Sequence, residues 1–371
     1  MIKVGVTGSN GFIGWHLCQT LKLHIDSFLL IEFKRNWFDN AIELDKFVSK
    51  CDIIVHLAGL NRHSEESTIF EINVGLANRL VDAFNRTNFK GQVLFSSSIQ
   101  EERNNVFGNS KKEARAIFSK WAKNNSTQFK GLIIPNVYGA FGVPFYNSVI
   151  ATFSQQLVNN EAPKIEIDAT LNLIYINDLV KSIIELFNKE TEDIVSIKYT
   201  DSYKVSEILE LLNLFKDTYY DNGQIPSFQN QFEINLFNTF RSYFNLAVYF
   251  PVKYKNNVDE RGNFVEIIRL GIGGQVSYST TKPGITRGNH FHTRKIERFS
   301  VIKGKALIQL RKIGTNEVFD YYLSGDEPAY LDMPIWYTHN IKNIGDEELY
   351  TMFWINELYD AKDPDTYFEK V

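Results

Sequence analysis

The stretch Gly284-Ile-Thr-Arg-Gly-Asn-His290-Phe-His292-Thr-Arg-Lys-Ile-Glu297-Arg-Phe-Ser-Val-Ile-Lys-Gly304 sets two histidines and a glutamate between glycines, at the spacing G-x5-H-x-H-x4-E-x6-G. Further on, Pro334-Ile-Trp-Tyr-Thr-His339 adds a third imidazole, with Asn343 four residues beyond it. Imidazoles two residues apart project from the same face of a strand. A carboxylate from the next turn and a histidine from a later strand can then close a site of nitrogen and oxygen donors. Such a set suits Zn²⁺ or another first-row divalent ion. A lone His-x-His would mark nothing more than an edge strand. Here four donors (His290, His292, Glu297 and His339), three glycines and a Pro-x4-His occur together, so one divalent metal, zinc foremost, is expected in either a catalytic or a structural role.

Around this stretch the chain reads as short strands, among them Gly274-Gln-Val-Ser-Tyr-Ser279, Phe299-Ser-Val-Ile302 and Ala306-Leu-Ile-Gln-Leu310, punctuated by turns. That rhythm is what a barrel or sandwich requires. Upstream of Tyr243-Phe-Asn245 the pattern is different, with strands alternating with helices. A chain of 371 residues exceeds one ordinary core, so two domains are expected, 1–245 and 246–371. The net charge of -4, with no cluster of Lys and Arg among aromatics, excludes nucleic acid as partner. Cys18 and Cys51 lie in apolar stretches and imply no disulfide framework. No apolar run reaches membrane-spanning length, and Met1 leads straight into a strand, so a cytoplasmic protein is expected.

The opening strand Ile2-Lys-Val-Gly-Val-Thr7 runs into Gly8-Ser-Asn10-Gly11-Phe12-Ile13-Gly14, and a helical pattern begins at about Trp15. Strand, glycine turn and helix in that order form a dinucleotide cradle, because glycines let the backbone approach the pyrophosphate at a helix N-terminus. A second strand ends at Glu32, whose carboxylate would accept the adenosine ribose hydroxyls of NAD(H). Arg35 could instead fork a 2′-phosphate. The balance favours NADP(H). The strand Asp52–Gly59 ends in Leu57, Ala58 and Gly59, small enough to clear the cofactor, and Asn73 is expected to open the next helix. The alternation predicts a doubly wound parallel sheet.

The Gly-x-x-Gly-x-x-Gly spacing resembles that of extended short-chain dehydrogenase/reductases acting on sugar nucleotides. The resemblance implies a catalytic serine, which Ser98 matches, and a Tyr-x-x-x-Lys segment, which Phe107-Gly-Asn-Ser-Lys111 matches except at its first residue. Phenylalanine can neither donate nor accept a proton. General acid-base help is worth about 10²–10⁴ in rate, so the reduction is expected to be slow or silent. Three explanations stand side by side: an engineered Tyr→Phe trap, a natural variant using Ser98, Tyr138 or water, or a domain that only binds nucleotide sugar. The resemblance also assigns Pro135 to the cofactor pocket, Asn136 and Asn147 to substrate, and Tyr175-Ile-Asn-Asp178 to a strand that hands over to a helix.

The His/Glu segments resemble the two motifs of cupins, small jelly-roll barrels, although Trp336 stands where that family usually has glycine. Asp259–Glu266 is similar to the opening of cupin-type sugar-nucleotide epimerases. Over its whole length the chain is similar to bifunctional capsular-polysaccharide enzymes that join such a reductase to a cupin. That resemblance implies a UDP-activated 4-keto-6-deoxy amino sugar as substrate, epimerised at C3 and reduced at C4 toward UDP-N-acetyl-L-fucosamine, by a homodimer. Tyr337, His292 (if it is not a ligand), Asp332 and Tyr322 are the proton-transfer candidates. Rival readings are a sugar-binding regulator and a metal-dependent dioxygenase. The segment Asp363-Pro-Asp-Thr-Tyr-Phe reads as an extended surface tail.

Overall fold

A computed structural model describes the chain except residues 188, 190–192, 255–256, 260–261, 265–266, 268–272 and 358–359, with side chains also excepted at 257–259 and 262–264. The epimerase-like opening expected at 259–266 therefore lies largely outside the described residues. Two compact units emerge, one of residues 1–149 and 167–205, the other of 150–166 and 206–371.

In the first unit six strands run parallel in the order Phe28–Ile31, Ile2–Thr7, Ile53–His56, Gln92–Ser98, Phe129–Ile134, Ile194–Ser196. Ile53–His56 is buried at every position, as a strand covered on both faces must be. The second strand lies on one side of Ile2–Thr7 and the third on the other, so the strand order reverses there. Ligands of doubly wound sheets bind outside the carboxyl ends of strands at such a reversal. Helices Glu66–Thr87 and Val106–Asn125 cover one face over a core rich in Phe84, Phe89, Phe95, Phe118 and Trp121. Two expectations shift. The first helix spans Phe12–Leu23, with Gly11 as its N-cap, because Trp15 N already donates to Gly11 O at 2.8 Å. Asn73 sits in the middle of Glu66–Thr87 rather than at its start, where its side chain meets a neighbouring loop.

The second unit carries two five-stranded antiparallel sheets. One has the order Val252–Lys253, Ala329–Met333, Glu297–Lys303, Leu349–Ile355, Gln275–Thr281; the other Val318–Ser324, Lys305–Lys312, Tyr337–Asn343, Thr286–Phe291, Tyr367–Phe368. Along Glu297–Lys303 alternate residues face opposite ways. Phe299 turns inward, its ring 5.8 Å from that of His339 in the other sheet. Arg298 turns outward and forks the Asp332 carboxylate at 2.8 and 2.9 Å, with Tyr219 OH donating to the same group.

Those outward contacts explain why the compact units do not divide at 245/246. Helix Gln231–Arg241 buries Phe232, Leu236, Phe237 and Phe240. Arg241 donates to Met333 O at 3.1 Å and Asn238 to Arg294 O at 2.9 Å, so residues 206–245 go with the β-sheets. The tail also departs from expectation. Tyr367–Phe368 pairs with His290–Phe291, and Asp365 is fully buried rather than displayed.

Candidate functional site

The glycines of the first turn are fixed by close approach. Gly8 adopts φ +74°, and a Cβ there would lie 2.7 Å from Ala58 N; a Cβ on Gly14 would lie 2.0 Å from Gly8 O. Gly11 N donates to Gly8 O at 2.9 Å and Leu57 N to Thr7 O at 3.1 Å, locking the turn against the third strand. Asn10 and Gly11 stay exposed, with Phe12 and Ile13 half-buried at the helix start. This cradle, too narrow for side chains and open at a helix N-terminus, fits a dinucleotide pyrophosphate. Glu32 and Arg35 are both exposed, while the Lys34 ammonium lies 6.0 Å from the Trp37 ring centroid.

Ser98, Phe107 and Lys111 come from the end of one strand and the first turns of Val106–Asn125. Asn105 caps that helix by accepting from Gly108 N at 2.7 Å, and a Cβ on Gly108 would fall 2.0 Å from Gln100 O. The helix start is thereby pressed against the loop that follows Ser98. Ser98 Oγ accepts from Gln100 N at 3.2 Å, which leaves its hydroxyl hydrogen available. Lys111 Nζ donates to Ser96 O at 2.9 Å and lies 5.8 Å from the Phe107 ring centroid. Burial pushes the Lys111 ammonium down to about 8, opposed by Glu101. A Cβ on Gly59 would meet Asn73 Oδ1 at 3.1 Å and Lys111 Nζ at 3.3 Å, so these three residues converge. Asn73 accepts from Leu60 N at 2.7 Å and donates to Leu60 O and Ser110 Oγ, both at 2.9 Å.

Pro135 is buried; Asn136 and Asn147 are exposed, with Asn136 Nδ2 donating to Asn172 O at 3.2 Å. Tyr138 is buried against Tyr175, their ring centroids 5.4 Å apart. Two features here escaped the sequence reading. Arg115 forks Glu101 below the serines at 2.7–3.1 Å, and His56 is buried beneath the site with Nδ1 2.6 Å from Thr7 Oγ1. Neither belongs to a recognisable spacing.

In the second unit His290, His292, Glu297 and His339 each offer one donor atom, and these atoms all lie within 4.8 Å of one another. His290 and His339 sit opposite each other on paired strands, past a bulge at Asn289. Glu297 Oε2 lies 3.0 Å from His292 Nε2 and 3.4 Å from His339 Nε2. The latter nitrogen is buried and makes no hydrogen bond of ordinary geometry. Burial pushes the His290 imidazole down to about 4, helped by the neighbouring imidazoles. Burial opposes ionisation of Glu297, yet the adjacent His292 and His339 hold its carboxyl well below the usual range. Burial likewise opposes the His292 imidazolium, and Glu297 outweighs it and raises that group. A buried carboxylate against three imidazoles, one nitrogen of them idle, is the donor set a divalent cation would satisfy.

Trp336, in the position expected of glycine, has a left-handed φ of 63° and is buried, with Trp336 N donating to His292 O at 2.7 Å. Tyr337 begins the His339 strand on the same face; burial, then Glu317, pushes its phenol up to about 12. Two proton-transfer candidates are corrected. Asp332 faces outward, fully buried in its ion pair with Arg298, and Tyr322 is 68% exposed on the opposite face from buried Tyr321.

Comparison with known proteins matches two separate stretches of the chain. Residues 4–197 match the NAD dependent epimerase/dehydratase family, and residues 257–367 the polysaccharide biosynthesis C-terminal domain. The chain is 31% identical to a UDP-2-acetamido-2,6-beta-L-arabino-hexul-4-ose reductase of Pseudomonas aeruginosa, covering 99% of this chain and 98% of that protein. It is similar to the crystal structure of the capsular polysaccharide assembling protein CapF from Staphylococcus aureus, at 34% identity over 100% of both chains and a TM-score of 0.62. A likeness in fold alone extends to RMD from Pseudomonas aeruginosa complexed with NADPH, at 19% identity over 59% of this chain and 82% of that one, with a TM-score of 0.52. Among the described residues no helix is long and apolar enough to cross a membrane.

Proposed function

The chain belongs to the NAD dependent epimerase/dehydratase family, and on that premise we propose a bifunctional nucleotide-sugar enzyme of capsular or O-antigen polysaccharide synthesis. In this reading the second unit is a cupin jelly roll that holds one divalent metal, zinc foremost, through His290, His292, Glu297 and His339. It inverts C3 of a UDP-2-acetamido-2,6-dideoxy-4-ketohexose. The first unit would then reduce the C4 ketone with NADPH, toward UDP-2-acetamido-2,6-dideoxy-L-talose and the UDP-N-acetyl-L-fucosamine pathway, a step that is impaired or trapped as the chain stands because Phe107 occupies the position of the catalytic tyrosine. The observation that carries the proposal is similarity along essentially the whole chain to a reductase of such a sugar. A cytoplasmic homodimer is the expected form, and sedimentation tests the dimer.

The bound nicotinamide supplies hydride, and the bound cation supplies Lewis-acid stabilisation of negative charge beside the ketone. The rest falls to the chain. Gly8, Gly11 and Gly14 would admit the pyrophosphate, Lys111 with Asn73 and Gly59 would hold the nicotinamide ribose, and Ser98 would hydrogen-bond the ketone oxygen. Since Phe107 has no proton to give, the proton of the new hydroxyl would come from Ser98, Tyr138 or water. At C3 one face must lose a proton and the other gain one. Tyr337 keeps its proton near neutrality and suits the acid; His292 serves as base if it does not bind the metal.

Phe107 favours a second reading, a nucleotide-bound but non-reducing 3-epimerase or sugar-binding protein. Incubation with the UDP-4-keto sugar and NADPH in D₂O separates the two. Deuterium at C3 with NADPH consumed supports the bifunctional enzyme, deuterium without consumption supports the non-reducing epimerase, and no deuterium removes epimerisation altogether.

A further inference from the structure

Resting on that reading of the His/Glu centre, we infer that Asp365 is a positioning residue of the cation site: it fixes which His292 nitrogen faces the ligand cluster and holds the loop joining His292 to Glu297. Its carboxylate accepts from Thr293 N at 3.0 Å, Thr293 Oγ1 at 2.7 Å, Arg294 N at 3.0 Å and Lys295 N at 3.1 Å. Three consecutive amides of a link only four residues long thus converge on one side chain. Left to themselves, those amides would be orphan donors beside a buried site.

The backbone of the same residue does the second half of the work. Asp365 O accepts from His292 Nδ1. A carbonyl oxygen has no proton to give, so Nδ1 must carry one, and Nε2 is the nitrogen turned to Glu297 Oε2 at 3.0 Å. A metal-binding histidine is commonly oriented in this way, through a partner on its other ring nitrogen.

Asp365 reaches both groups only in a left-handed conformation, φ 38°, one that Asp tolerates better than most residues. The surrounding tail holds it there. Lys295 Nζ donates to Pro364 O at 2.6 Å, Glu369 N to Asn289 O at 2.9 Å, and Arg311 pairs with Glu369 at 2.8 Å. Phe368 and Tyr367 pair with His290 and Phe291. The tail therefore grips the end of the strand that carries His290 and the loop that follows His292.

The test is competition between the full chain and a chromogenic chelator for Zn²⁺, together with the visible spectrum of the Co²⁺ form. Thermal melting of each metal-free variant is measured alongside. Asp365→Ala is expected to bind Zn²⁺ about 10–100-fold more weakly and to alter the Co²⁺ bands. Asp365→Asn, which keeps an acceptor oxygen and tolerates the left-handed backbone, is expected to fall between it and the parent. If Asp365→Ala melts lower yet matches the parent in affinity and spectrum, the residue is merely structural and the inference is overturned. If that variant does not fold, Asp365→Asn decides, and parental affinity and spectrum would overturn the inference equally. Failure of the parent chain itself to bind Zn²⁺ would instead remove the reading of the centre, and this inference with it.

Discussion

In the nucleotide cradle the binding surface is backbone, shaped by Gly8, Gly11 and Gly14 within seven residues; at the His/Glu centre it is side chains, gathered from segments as much as 49 residues apart. The cradle depends on what is missing, since a Cβ on Gly8 or Gly14 would strike backbone and one on Gly11 would crowd Gly8 O at 3.2 Å. The His/Glu centre depends on what is present and on what braces it. A local backbone device keeps its shape when a reacting side chain beside it changes, and Phe107 sits in such a frame with Lys111 still in place. A convergent centre has no comparable insurance, because its four donors owe their positions to three separate strand segments.

The largest effect expected is on the first side of that contrast. Phe107→Tyr adds one oxygen to an intact frame and should raise NADPH oxidation with the UDP-4-keto sugar about 10²–10⁴-fold in a stopped assay. An unchanged rate would mean that another group already delivers the proton, and that the cradle's chemistry is not local after all. Next comes the brace behind Glu297. Asp332→Ala would strand the Arg298 guanidinium, whose side chain is 2% exposed, and should cost the second unit about 3–5 kcal/mol in urea unfolding. A loss near zero would show that the sheet does not need its outer ion pair.

Acid should distinguish the first unit through His56. Burial, then Lys111, pushes that imidazole down to about 3, whereas in the unfolded chain it titrates near the ordinary imidazole value of about 6.5. The unfolded state therefore takes up a proton first. Stability tied to the neutral ring is complete above about 6.5 and drains away as pH falls toward about 3. Between pH 7 and pH 5 the loss should be about 2 kcal/mol in the urea midpoint of the first unit. The smallest effect is expected from Asn105→Ala, which removes the cap over Gly108 and should cost about 1 kcal/mol by thermal melting. A larger drop would mean that the Phe107 frame rests on this cap more than on the Gly108–Gln100 approach.

What was legible in the sequence follows the same contrast. The glycine turn, the order of strands and helices, and the His290/His292/Glu297/His339 grouping could all be read, because each shows as short spacing or as types of donor. The start of the first helix at Phe12 was missed by three residues, since Gly14 looked like a turn glycine although it is close-packed within a helix. Asp332 looked like a free carboxylate, because its partnership with Arg298 exists only in the register of two strands. Asp365 shows in the sequence only as part of Asp363-Pro-Asp-Thr-Tyr-Phe, a segment that reads as a surface tail. Its use depends on a left-handed backbone and on amides 70–72 residues earlier, which no local pattern encodes. The helices of 206–245 read by their pattern as part of the α/β half, yet Tyr219 and Arg241 reach the β-sheet at Asp332 and Met333.

The distance between His292 and Asp365 also sets an order of events during synthesis. The imidazole leaves the ribosome 73 residues ahead of the carbonyl that takes its proton. At ordinary elongation rates that gap lasts roughly 4–15 s. For that interval His292 lacks the carbonyl that accepts from its Nδ1. Under the proposed reading, a cation site at this centre would be complete only once the tail has closed.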